Sequence, residues 1–218
     1  MMQDYIELDS VSYKKLVALK NKAEGKSIFL IGGGPSLKDF DFSRLKGKFT
    51  IGVNKCYEKI IPDLLYFSDS CFYDWYKPEI DALKCEKASI ANTLKQPFNI
   101  IKLGCTGETG LEMRFGNVRH GSNSGHAALN VTYHLRPKQV FLLGFDMKQE
   151  DNNTHWHSGY QDKKRSSGPL FSANKWIENF KTVSVHYRNV NFKIWNCNPE
   201  SNLYCFPGAR LEEALKEI

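Results

Sequence analysis

An uninterrupted apolar run that ends abruptly in three glycines constrains this chain more than any other feature of its sequence. Residues 27–31 read Ser-Ile-Phe-Leu-Ile, and Gly32, Gly33, Gly34, Pro35 and Ser36 follow directly. β-branched and aromatic residues in such a run are typical of a buried strand, and the glycines and proline indicate a tight turn. The pattern therefore predicts an interior strand that ends in a loop whose backbone a ligand can approach closely.

The three glycines make this loop a candidate for anion binding. Glycine reaches positive φ angles and carries no side chain, so successive N–H groups can point together at a phosphate. The dinucleotide fingerprint G-x-G-x-x-G is absent, because Leu37 stands where its third glycine would be. The Gly-Lys-Ser/Thr sequence of the phosphate loop does not follow either. We expect a nucleotide-type loop that neither common motif describes, and an ordinary strand-to-loop turn remains the alternative.

Length and composition indicate a globular protein. The 218 residues, 41% of them hydrophobic and 25% charged, suit one domain over residues 1–218 with a sizeable core. No stretch is long enough to span a membrane, and the polar opening is not a signal peptide. The six cysteines form no C-x-x-C pair, so we expect reduced thiols and a cytoplasmic protein. The net charge of +6 fits an anionic substrate: a nucleotide, an acidic glycan or a nucleic acid.

Strand patterns and helix patterns alternate along most of the chain. Helical spacing is found at residues 10–23, 72–83, 124–135, 172–187 and 210–218. Strand patterns are found at residues 27–31, 49–53, 63–68, 88–91, 100–103, 139–144 and 192–195. Several of these strands are continuous apolar runs, which are typical of parallel strands buried on both faces. The sequence therefore predicts an α/β fold: a single Rossmann-like domain with a mostly parallel sheet and helices on both faces.

Polar residues cluster where the predicted strands end and where the helix at residue 124 begins. In open α/β sheets, ligands bind outside the carboxyl ends of the strands, so these residues are candidates for a nucleotide site. Each of them alone is readily explained as a turn or cap residue, and the prediction depends on their coincidence. The candidates for nucleotide binding are Gly32, Gly33, Gly34, Pro35, Ser36, Asn54, Ser68, Asp69, Asn123, Ser124, Gly125, Gly144 and Asp146.

A long polar segment, residues 147–170, follows the strongest late strand. Loops of this length in compact domains are usually functional or disordered, and we interpret this one as a lid. It contains His155 and His157, and imidazole is suited to take a proton from a hydroxyl near neutral pH. An exposed aromatic loop without function is the alternative. A metal site on the two histidines is disfavoured, since no carboxylate or cysteine stands at ligand spacing.

The opening motif resembles that of the small bacterial sialyltransferases that use a CMP-activated sugar. That family has a strand followed by Gly-x-Gly-Pro-Ser-Leu-Lys, an acidic-aromatic stretch and Ser-Arg-Leu, which here occupy residues 32–45. Five further motifs of that family have matches here. They are a strand-end Asn (Asn54), a Ser-Gly at a helix start (Ser124-Gly125), a Gly-x-Asp (Gly144 to Asp146), a Thr-His-aromatic group (Thr154 to Trp156) and a late Pro-x-Ser (Pro199 to Ser201). The same opening occurs in poorly characterised phage and bacterial proteins and in an archaeal pterin diphosphokinase family.

The resemblance implies a glycosyltransferase that moves a sugar from a nucleotide-activated donor, CMP- or UDP-linked, to an acceptor hydroxyl. It implies that no metal or other cofactor is required. His155 matches the family's general base, and Lys148 and His157 are the other catalytic candidates. The chain also departs from the family pattern. Gly33 stands where the family has a donor-contacting Asn, and Lys148 and approximately Thr154 stand where it has two lid tyrosines.

Two other function classes stay open at this point. One is an ATP- and metal-dependent phosphotransferase of the diphosphokinase type, and the other is a non-catalytic nucleotide-binding accessory protein of the kind found in phages. As partners we expect the nucleotide-sugar and an acceptor that is a glycan or modified DNA. We expect no membrane span, and the sequence is compatible with an oligomer.

Overall fold

The computed structural model describes residues 8–91, 99–150, 153–157, 172–187 and 192–216. Within these ranges, seven strands form one sheet in the order β5-β4-β3-β2-β1-β8-β9, and every neighbouring pair is parallel. The strands are β1 (Ser27–Ile31), β2 (Phe49–Val53), β3 (Leu64–Phe67), β4 (Glu86–Ser89), β5 (Ile100–Lys102), β8 (Gln139–Leu143) and β9 (Lys193–Asn196). A small second sheet pairs β6 (Gly104–Cys105) with β7 (Asn117–Val118).

Helices cover both faces of the large sheet. They are α1 (Ser10–Ala23), α2 (Ser70–Trp75), α3 (Lys77–Ala82), α4 (Ser124–Leu135), α5 (Ala173–Tyr187) and α6 (Leu211–Ala214). Ile28 and Leu30 of β1 pack in a core with α1, α4 and α5, whereas Phe29 and Ile31 pack on the opposite face with α6. β1, β2 and β8 are buried at every position, as continuous apolar strands require. The predicted α/β fold with a mostly parallel sheet is confirmed.

Several local features differ from the sequence-based expectations. The strand predicted at residues 88–91 is β4 at Glu86–Ser89, and the helix predicted at residues 210–218 is α6 at Leu211–Ala214. The helix predicted over residues 72–83 is two helices, because Tyr76 leaves the helical conformation (φ −124°) and Pro78 lies in the first turn of α3. A proline fits the first turn of a helix, where its missing N–H is not needed, but not the interior. The pair β6–β7 was not predicted, since two-residue strands carry no periodicity. None of the described helices has the length and apolar character needed to cross a membrane.

The order of the strands creates a crevice between β1 and β8. The chain leaves β1 toward β2 on one side, while β8 continues to β9 on the other, so the loops that follow them diverge. In doubly wound sheets this point of divergence is where ligands bind. The two strands are in register, with Ile31 beside Leu143, so the turns that begin at Gly32 and Gly144 lie next to each other.

Candidate functional site

A cavity of about 220 Å³ lies at this crevice. Its walls come from the turns after β1 and β8, the end of β2, the start of α4, and residues 154–157. The structure brings together most of the sequence-predicted site residues here: Gly32, Gly33, Gly34, Asn54, Asp69, Asn123, Ser124, Gly125, Gly144, Asp146, Lys148, His155 and His157. Pro35 and Ser36 line an adjoining cavity instead. Ser68 lines neither, and its hydroxyl donates to the hydroxyl of Tyr66 at 3.3 Å.

The glycines of the turn after β1 are required by close packing. None of the three has a positive φ, so the expected left-handed conformation was wrong. The Gly32 N–H donates to the Leu143 carbonyl at 2.7 Å, and the Gly34 N–H donates to the Gly144 carbonyl at 2.9 Å. A Cβ on either Gly32 or Gly34 would lie 2.6 Å from the Gly144 oxygen. The turn packs against the end of β8, and these two amides are not part of a phosphate cradle.

Asp146 joins the three strand ends at the crevice. Its buried carboxylate accepts the N–H and the hydroxyl of Ser36, both at 2.7 Å, and the side-chain amide of Asn198 at 2.7 Å. Ser36 follows β1, Asp146 follows β8 and Asn198 follows β9. Hydrogen bonds to a carboxylate are stronger than those between neutral groups, so this contact fixes the turn after β1. Asn198 follows the late predicted strand at the same edge of the sheet, but its pairing with Asp146 could not be predicted, because the two residues are remote in sequence.

Strained backbone is concentrated at the cavity. Among the described residues, four that are not glycine have positive φ, and three of them line the cavity: Asn54, Ser122 and Met147, each at φ 51°. Such conformations persist where the surrounding structure enforces them, and they are common at functional sites. The side-chain oxygen of Asn54 is also buried and has no hydrogen-bond partner among the described residues. A buried acceptor without a donor costs about 1–3 kcal/mol, so this oxygen is suited to a ligand N–H or O–H.

The first turn of α4 lies at the wall of the cavity. The side-chain oxygen of Asn123 caps the helix by accepting the N–H groups of Gly125 at 2.7 Å and His126 at 3.2 Å. A Cβ on Gly125 would lie 2.8 Å from the ring of Phe145, so only glycine lets the helix start approach the end of β8. The positive end of the helix dipole and the hydroxyl of Ser124 favour a negatively charged group in the cavity.

His155 lies directly on the glycine turn. Its Cδ2 is 2.7 Å from the position that a Cβ on Gly33 would occupy. The N–H of Trp156 donates to the Gly33 carbonyl at 3.1 Å, and the Thr154 hydroxyl lies 2.7 Å from Nδ1 of His155. When Nδ1 is protonated and donates a hydrogen bond to the Thr154 hydroxyl oxygen, Nε2 holds the lone pair that a general base needs. The missing side chain at Gly33 thus makes room for the imidazole.

His157 is a neutral neighbour of His155. The centroids of the two rings are 5.1 Å apart. Burial lowers the pKa of His157 to about 3, with smaller electrostatic contributions from His155 and Lys55. Lys55 was missed by sequence reasoning: it is buried, forms an ion pair with Glu58 and lies over the ring of Tyr76, with 4.0 Å between Nζ and the ring centroid.

Lys148 supplies an ammonium group at the cavity wall. Its Nζ lies 3.1 Å from a carboxylate oxygen of Glu200, which is exposed to solvent. The pair is therefore screened by water, and the lysine charge remains accessible to a ligand anion. Lys148 is the only lysine among the described residues that line this cavity.

A hydrogen-bond network centred on Glu108 connects α5 to the cavity. Glu108 accepts the Ser122 hydroxyl at 2.5 Å, the Asn179 amide at 3.1 Å and the Lys175 ammonium at 2.8 Å. These hydrogen bonds, that of Lys175 first, lower the pKa of Glu108 to about 2. The network holds Ser122 in its strained conformation and brings Trp176 of α5 to the cavity wall. Sequence reasoning found neither Ser122 nor Trp176, because the connection depends on tertiary contacts.

The predicted lid, residues 147–170, falls largely outside the described residues. In the part that is described, Glu150 and Asn153 exchange backbone hydrogen bonds at 3.0 and 2.7 Å. Within the described ranges, no group of three or more His, Cys, Asp or Glu side chains is placed to hold a metal ion.

The chain is similar in fold to a solved sialyltransferase. The structure of CstII from Campylobacter jejuni in complex with a substrate analogue, cytidine 5′-monophosphate (CMP), is 19% identical to this chain and has a TM-score of 0.51; the alignment covers 85% of this chain and 85% of CstII. A second structure of CstII, with a trisaccharide acceptor and CMP, is 17% identical and has a TM-score of 0.49; the alignment covers 84% of this chain and 85% of CstII. No family model and no curated protein matches the chain. The sialyltransferase-like fold is therefore established.

Proposed function

We propose that this chain is a glycosyltransferase that moves a sugar from a nucleotide-activated donor to an acceptor hydroxyl. The proposal depends above all on one observation: the His155 imidazole lies against Gly33, in the wall of the cavity at the point where the sheet diverges. A group that accepts a proton is thereby placed beside a site with the features of a nucleotide pocket. The fold shared with an enzyme that was solved with CMP supports the same conclusion.

The cavity offers a distinct partner for each part of such a donor. The start of α4, with Ser124, and the Lys148 ammonium are suited to the phosphate. The buried oxygen of Asn54 is suited to an amino group of a base or a hydroxyl of a ribose. Trp176 and Phe145 supply apolar surface for the base or the sugar. We propose CMP as the nucleotide, because the fold is shared with an enzyme that was solved with CMP and the cytosine amino group can donate a hydrogen bond to the Asn54 oxygen.

The transfer step uses few protein groups. Nε2 of His155 takes the proton of the acceptor hydroxyl as its oxygen forms a bond to the anomeric carbon of the donor sugar. The bond from that carbon to the phosphate oxygen breaks, and its electron pair leaves with the phosphate. The α4 amino terminus and Lys148 stabilise the charge that develops there. Burial keeps His157 neutral, so it adds no competing positive charge beside the imidazolium of His155.

The experiment that tests this proposal is a thermal-shift series with CMP, UMP, GDP and ATP, each with and without magnesium. We expect stabilisation by CMP that does not depend on magnesium. Stabilisation by ATP only with magnesium would instead favour a phosphotransferase. The series is followed by a hydrolysis assay with CMP-linked sugars, in which release of free CMP shows that the donor bond breaks. Binding of nucleotides without any such release would contradict the enzymatic proposal.

A further inference from the structure

A second cavity lies on the other side of His155. Its volume is about 440 Å³. One side is formed by the residues that follow the glycine turn, including Lys38 and Asp39, and the other by Glu150 and Asn153. We infer that this second cavity is the acceptor subsite and that its occupant is a neutral glycan; the inference rests on the proposed function.

The first argument is position. His155, Trp156 and His157 line both cavities, so the three residues form a wall between them. A general base must reach the acceptor hydroxyl while the donor carbon lies on the path of the attacking oxygen. A base in a wall shared by two cavities meets that requirement, since one cavity holds the donor and the other presents the hydroxyl.

The second argument is the chemistry of the lining. Asp39, Glu150 and Asn153 are exposed side chains that accept hydrogen bonds, and the indole of Trp156 adds an apolar surface beside them. A sugar ring combines hydroxyl donors around its edge with apolar C–H faces, and it satisfies both kinds of surface. The backbone hydrogen bonds between Glu150 and Asn153 hold these two side chains in a fixed relation.

The third argument is charge. The described lining carries two carboxylates, Asp39 and Glu150, and one ammonium group, Lys38. Burial keeps His157 neutral, so it does not offset them. Like charges at close range are costly, and an acceptor with several phosphates or carboxylates would face this excess of negative charge. Modified DNA and acidic glycans therefore fit the second cavity poorly, although the whole chain is positively charged.

The test measures ligand binding to the CMP-loaded protein by saturation-transfer NMR and calorimetry. The neutral probes are the methyl β-glycosides of galactose, glucose and N-acetylglucosamine. The anionic probes are methyl β-glucuronide and an oligonucleotide that contains hydroxymethylcytosine. The variant is Asp39→Asn with Glu150→Gln, and the control is Asp41→Asn, the same change at an exposed carboxylate that lies outside both cavities. CMP binding by every variant is measured first, which shows that it is folded.

We expect at least one neutral glycoside to bind, and its affinity to fall about tenfold in the double variant but not in Asp41→Asn. The glucuronide should bind more weakly than the matching glucoside. The inference is overturned if no neutral glycoside binds, if an anionic probe binds as tightly, or if the double variant binds like the unmodified protein. The proposed function is tested separately. If the protein binds CMP and releases CMP from a sugar donor, the proposed function is supported even when one of these three outcomes contradicts the acceptor subsite.

Discussion

The imidazole of His155 occupies the space that a side chain on Gly33 would fill. A Cβ at Gly33 would come within 2.7 Å of His155 Cδ2, a separation that real Cβ atoms do not show. The N–H of Trp156 closes the contact by donating to the Gly33 carbonyl. The glycine therefore positions the histidine.

Gly33→Ala should impair turnover more than it impairs nucleotide binding. The added methyl group displaces His155, and a misplacement of about 1 Å in a reacting group costs about 10²-fold in rate. The matched control is Gly208→Ala, because nothing lies within 4 Å of a Cβ at that position. Steady-state kinetics and CMP titration measure both effects. Normal turnover in Gly33→Ala would show that the contact with His155 has no role in catalysis.

His155→Ala should lower kcat by about 10²–10⁴-fold, the usual contribution of a positioned acid or base, with donor affinity little changed. His157→Ala should have a smaller effect, because the pKa of His157 is far below neutral and its ring takes no proton during turnover. The two variants are compared in the same kinetic assay. A larger loss in His157→Ala would reverse the assignment of the base.

Asn54→Gly should weaken CMP binding about tenfold, since it removes the buried amide oxygen but keeps a residue that tolerates positive φ. Its free energy of unfolding should change by less than about 1 kcal/mol. Arg136→Gly is the control: Arg136 has the same left-handed conformation, at φ 52°, but ends α4 away from the cavity. If both variants bind CMP like the unmodified protein, Asn54 does not contact the nucleotide.

The free energy of unfolding should decrease as the pH falls from about 6.5 to about 4. Burial lowers the pKa of His126 to about 4 and that of His157 to about 3. The unfolded chain binds protons at these residues near pH 6.5, whereas the folded chain does so only at lower pH. Each histidine therefore adds a slope of up to about 1.4 kcal/mol per pH unit. Urea titrations of His126→Gln across this range should show a shallower slope, and an identical slope would contradict the assignment.

The bounds of several elements could be predicted because their signals are local. The observed limits of α1, β1, β2 and α4 coincide with the predicted ones. Both strands are short runs rich in β-branched and aromatic residues, and α4 is preceded by Asn123, a strong cap. The alternation of strands and helices predicts a parallel sheet, and the candidate residues follow the carboxyl ends of its strands. Most of those residues do line the cavity.

The contacts within the site could not be predicted, because they join residues remote in sequence. The glycine turn was identified from the sequence, but the reason for its glycines was not. Gly34 is required by Gly144 and Asp146, which lie more than a hundred residues later. The bond from Ser36 to Asp146 spans 110 positions and that from Asn198 to Asp146 spans 52. No local pattern encodes such pairings.

The placement of β8 beside β1 also has a consequence for folding. Ser27 and Gln139, which open the paired stretch, are 112 positions apart, so the pairing closes a very long loop. Long-range pairings of this kind form slowly, because the entropy of closing the loop is lost before any contact compensates for it. The cavity exists only once β1 and β8 have met. Nucleotide binding during refolding should therefore appear late, at the same time as the pairing of β1 with β8. Its rate would report on this pairing and not on the earlier formation of helices.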